Sequence, residues 1–63
     1  MWTSIYMAQS FDKAKELRAA IEKNGIIVML KQIKLEDTSG KDCFEILVPR
    51  AEVEKALEVI IGE

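Results

Sequence analysis

SFDKAKELRAAIEKNGIIVML, residues 10–30, decides the fold. Phe11, Ala14, Leu17 and Ile21 recur at the three-and-four spacing that stacks side chains on one side of a helix. Lys13, Lys15, Glu16, Arg18, Glu22 and Lys23 fall mostly on the remaining, solvated sides. Ser10 suits an N-cap, because its hydroxyl can accept from an orphan backbone N–H, and Asp12 sits in the first turn where the dipole favours negative charge. Gly25 can take the left-handed conformation that ends a helix without a Cβ penalty, and Lys23 complements the C-terminal dipole. The apolar run Ile26-Ile27-Val28-Met29-Leu30 follows at once and is expected to open a strand that continues through Lys34, covered on both sides in its first half. The stretch therefore sets one helix-to-strand corner against which the other elements can be placed.

Upstream, Trp2-Thr3-Ser4-Ile5-Tyr6-Met7 is short and rich in β-formers, which predicts a first strand with Thr3, Ile5 and Met7 on one side and Trp2, Ser4 and Tyr6 on the other. Downstream, Glu36-Asp37-Thr38-Ser39-Gly40 within residues 35–41 suits a surface hairpin loop. Residues 42–48 form the third strand, with Phe44, Ile46 and Val48 on one side and Cys43, Glu45 and Leu47 on the other, and Pro49 ends it. A second helix opens at Ala51 or Glu52, with Val53, Ala56, Leu57 and Ile60 forming its apolar stripe and Gly62 closing it.

The order is β-α-β-β-α in one α+β domain, residues 1–63, without repeats or linkers. Each helix has a single apolar stripe to bury, so both are expected on one face of a three-stranded mixed sheet. The favoured order is 1-3-2, a ferredoxin-like half in which strands one and two run parallel with strand three between them, antiparallel to both. A plain 1-2-3 order is the alternative. The expected core is Ile5, Met7, Phe11, Ala14, Leu17, Ile21, Val28, Leu30, Phe44, Ile46, Val48, Val53, Ala56, Leu57 and Ile60.

A chain of 63 residues is thin as a domain. Unfolded, it exposes roughly 10,000 Å² and buries about 60% of that, so ~3,700 Å² of apolar area contributes on the order of 90 kcal/mol. Ordering the backbone and side chains costs about 1.5 kcal/mol per residue, again on the order of 90 kcal/mol in all. Cys43 is the only cysteine and there is no histidine, so an internal disulfide is impossible and a structural zinc site lacks ligands. Self-association is the remaining way to add buried area.

The net charge is −2, with acidic and basic residues interspersed. That pattern argues against nucleic acid, and no signal peptide or spanning run is present, so no membrane is expected. A single free thiol fits the cytoplasm.

Chemistry is sparse. The chain has no histidine to activate Cys43, while Asp42 precedes it and Glu45 shares its face, which makes it a packing or interface residue rather than a nucleophile. Glu36-Asp37, Glu52, Glu54 and Glu58 lie on a loop and a helix surface, not in a cleft. The turn Ala8-Gln9-Ser10 lacks the glycine that lets a backbone approach phosphate. No catalytic, cofactor-binding or metal-ligating residue is assigned, and no enzyme or cofactor is expected. Trp2 and Tyr6 are aromatics on a sheet face, which in a basic setting would stack RNA bases and in this acidic one suit a subunit contact.

The short strand ending in YMAQS, the helix FDKAKELRAAIEKNGI and the ending FEILVPRAEVEKALEVI together resemble a family of small bacterial signal-transducing proteins of unknown function. The Asn24-Gly25-Ile26 corner and Val48-Pro49 with Val53 and Ala56 carry the resemblance across nearly the whole chain. It implies a ferredoxin-like or PII-like topology and a regulatory role, and it brings no catalytic residues. The expected function is a non-catalytic interaction or regulatory module acting as a homodimer. Its expected interface is Trp2, Tyr6, Ile27, Met29, Cys43 and Leu47 on the sheet face away from the helices, with pairing through the edge of strand one as the competing geometry. The alternative is a sensor with a small-molecule ligand at the subunit boundary, or a module for an unknown protein partner.

Overall fold

The computed structural model describes residues 1–34 and 42–62. The expected hairpin loop at 35–41 lies outside the described residues. The elements are β1 (Trp2–Ala8), α1 (Phe11–Lys23), β2 (Met29–Lys34), β3 (Asp42–Pro49), a 3₁₀ turn (Arg50–Glu52) and α2 (Val53–Gly62). The sheet order is β1-β3-β2 and both ladders are antiparallel, so β1 and β2 point the same way without touching. This is the expected β-α-β-β-α arrangement of ferredoxin-like type, but the sheet is antiparallel throughout rather than mixed, because the parallel β1 and β2 are separated by β3 and never pair.

Both ends of α1 close as their residues dictate. The Lys13 N–H donates to Ser10 Oγ at 3.1 Å, which satisfies one orphan donor of the first turn. At the other end Gly25 has φ 79°, its N–H donates to the Glu22 carbonyl at 2.9 Å, and the Ile26 N–H donates to the Ile21 carbonyl at 3.4 Å. This is a Schellman closure, and its usual apolar contact is present because Ile26 and Ile21 belong to one buried cluster.

That closure explains why β2 starts at Met29 rather than Ile26. The Ile26 amide is spent on the helix end and its side chain on the core. Continuing the β2–β3 register back from Met29 opposite Leu47 would then set Ile27 opposite Pro49. The Arg50 N–H donates to the Met1 carbonyl at 2.9 Å, so by strand alternation Pro49 turns its backbone toward β2, where it has no N–H to offer. The ladder stops there.

The core is the layer between helices and sheet: Leu17 and Ile21 of α1, Ile26, Ile46 and Val48 of β3, and Ala56 of α2, with Ile5, Val28, Leu30, Val53, Val59 and Ile60 packed around them. The shortest dimension of the molecule is 15 Å, the thickness of one sheet and one helix layer. Of the expected core, Met7, Phe11 and Leu57 are substantially exposed and Phe44 is only partly buried, outside the central cluster, while Ala8 and Ile26 are buried. Phe11 lies over the end of the core with its ring 5.6 Å from that of Phe44, at 59°.

The Met7 displacement has a local cause. In β1, Ser4 pairs with Leu47 and Tyr6 with Ile46, so Ile5 is an extra residue, a β-bulge. Directly paired residues share a face, and the bulge therefore reverses the parity of everything after it. Ile5 still packs against the core, Ala8 joins it opposite Phe44, and Met7 moves to the opposite face beside Glu45.

Candidate functional site

Among the described residues no three of Asp, Glu or Cys come together to hold a metal, no polar or charged side chain is buried, and no buried side-chain polar atom lacks a partner. Surface hollows lined by the described residues include two of note. One is an open depression of about 490 Å³ lined by Asn24, Lys55, Glu58, Val59 and Gly62, between the end of α1 and one flank of α2. The other, about 170 Å³, is lined by Gly25, Ile26, Ile27, Pro49, Ala51 and Glu52. Neither brings together a nucleophile with a base or a set of converging carboxylates.

The most distinctive surface is the sheet face away from the helices. Pairing assigns its members: Met29, Lys31 and Ile33 from β2; Cys43, Glu45, Leu47 and Pro49 from β3; and Trp2, Ser4 and Met7 from β1. None of these is buried, although β3 is the central strand, whereas the alternate β3 residues Ile46 and Val48 are 0% exposed. Lys31 and Glu45 stand directly opposite each other amid the apolar side chains, an opposite-charge pair on neighbouring strands.

Four of the six residues expected on this face are there: Trp2, Met29, Cys43 and Leu47. Tyr6 is not, because the bulge sets it opposite Ile46 of the covered side. Ile27 is not, because it precedes β2; it is 69% exposed and borders the smaller hollow. Met7 and Ile33 take their places. Ile33 follows Met29 and Lys31 at strand period and was open to detection by that count, whereas Met7 was hidden by a bulge that leaves no mark in the alternation.

No family model, curated protein or solved structure matches the chain. No helix among the described residues is long and apolar enough to cross a membrane.

Proposed function

We propose that the chain is a small interaction module that meets a second copy of itself through the open face of the sheet and serves regulation rather than catalysis. The observation that carries this reading is the uncovered face, where Trp2, Met7, Met29, Ile33, Cys43 and Leu47 surround the Lys31–Glu45 pair. Trp and Met are enriched at protein interfaces, and here they stand on one uncovered sheet face. A two-fold pairing of identical faces is self-complementary in charge, since Lys31 of each copy can approach Glu45 of the other. The regulatory role rests on the resemblance of the helix, corner and ending to small bacterial signal-transducing proteins, and action in the cytoplasm rests on the single free thiol.

Sedimentation equilibrium tests the pairing. Wild type is expected to reach at least the mass of two chains at tens of micromolar, and Met29→Glu, at an exposed position that leaves the core intact, is expected to halve that mass. A wild type that remains a single chain to high micromolar concentration contradicts the reading.

A further inference from the structure

The open edge of β1 and the outer flank of α2 form one continuous surface, and we infer that it joins a second copy of this chain edge to edge, making a six-stranded sheet. β1 pairs only with β3 among the described residues and carries no charged side chain along Trp2–Ala8. The other sheet edge, β2, carries Lys31 and Lys34, the kind of charge that keeps an edge from pairing. The bulge at Ile5 is the one device that blunts β1, and it leaves regular strand on either side of it.

The helix above supplies the second half of the argument. α2 packs on β1 and β3. Its Lys55 and Val59 flank borders Asn24 at the end of α1. At about 100° per residue, Leu57 and Ile61 lie on the opposite flank, over the open side of β1, and Ile61 is 82% exposed. If α2 sits above the gap between β1 and β3, strands spaced about 4.8 Å put its axis about 5 Å from a two-fold axis at the open edge. The second α2 then arrives at about 10 Å, within the range of packed helices. Strand pairing and helix packing close in the same arrangement, with Leu57 and Ile61 of both copies meeting over the seam. A lone extended strand would satisfy the edge but leave Ile61 without a facing helix.

This joining also widens the face of the proposed function, and in that respect it rests on that reading. Three strands of six residues present a plane of only about 14 by 20 Å, small for a stable interface, and a coplanar pair doubles it. Two six-stranded sheets packed face to face make an assembly of four chains.

Native mass spectrometry of wild type, Met29→Glu, Ile61→Glu and the double variant separates the two contacts, with circular dichroism to check folding. Four copies are expected for wild type, two for each single variant and one for the double. The edge pairing is overturned if Ile61→Glu keeps the wild-type mass, or if wild type is a pair that Met29→Glu alone dissolves. A wild-type pair dissolved by Ile61→Glu and indifferent to Met29→Glu supports the edge and refutes the face. A wild type of one chain overturns both.

Discussion

Ile46 and Leu47 are neighbours in β3, similar in size and hydrophobicity, yet Ile46 is sealed beneath two helices while Leu47 stays half-exposed on the other side of the same sheet. The difference comes from the supply of covering elements rather than from the side chains. Two helices, each with one apolar stripe, suffice to cover one face of three strands, and among the described residues nothing covers the second. One side of the sheet therefore stabilises the fold, and the other stays open among the described residues.

The sharpest way to break this comparison is to remove the same kind of mass from each side. Ile46→Ala opens a cavity among Leu17, Ile21 and Val48 and should cost about 2–5 kcal/mol, a large share of the stability a domain of this size has. Leu47→Ala, measured by urea denaturation under dilute conditions, should cost about 1 kcal/mol, because part of its surface is already wet. Equal losses at the two positions would mean that the outer face is as well packed as the inner one.

A smaller effect sharpens the boundary between the two sides. The Schellman closure turns Ile26 into the covered layer, and it depends on Gly25 at φ 79°. A Cβ added there meets nothing within 4 Å, so Gly25→Ala is strained by backbone conformation alone and should cost about 1 kcal/mol. Gly25→Asn should recover part of the loss, since Asn tolerates the left-handed region. A Gly25→Ala protein as stable as wild type in thermal denaturation would show that the turn does not hold Ile26 in place.

How much of this was legible in the sequence follows the range of the interaction. The α1 cap, the Gly25 stop and the alternation of β3 depend on residues a few positions apart, and they read directly. The order β1-β3-β2 needed one step more: two single-stripe helices ask for one common face, and the split β-α-β arrangement favours β3 between β1 and β2, with 1-2-3 left as the alternative until the strands are seen paired. What did not read was set by pairing between distant strands. The bulge at Ile5 exists only against β3, and it exchanged Tyr6 for Met7 on the open face. The late start of β2 arises because Pro49 lies across from Ile27 in the register, a relation invisible until the strands are aligned. Phe11 kept its place in the helical period, but as the first residue of α1 it stays half-exposed, packed on Phe44 and beneath Lys15 Nζ at 5.8 Å from its ring centre.

Cys43 offers the most direct test of the claim that the open face meets another copy. It is the only thiol, it is half-exposed, and pairing with Ile33 places it on that face. Its rate of reaction with a disulfide reagent such as 5,5′-dithiobis(2-nitrobenzoate) should fall several-fold as protein concentration rises from nanomolar to hundreds of micromolar, and it should stay fast throughout for Met29→Glu. A wild-type rate that does not change with concentration would contradict the account.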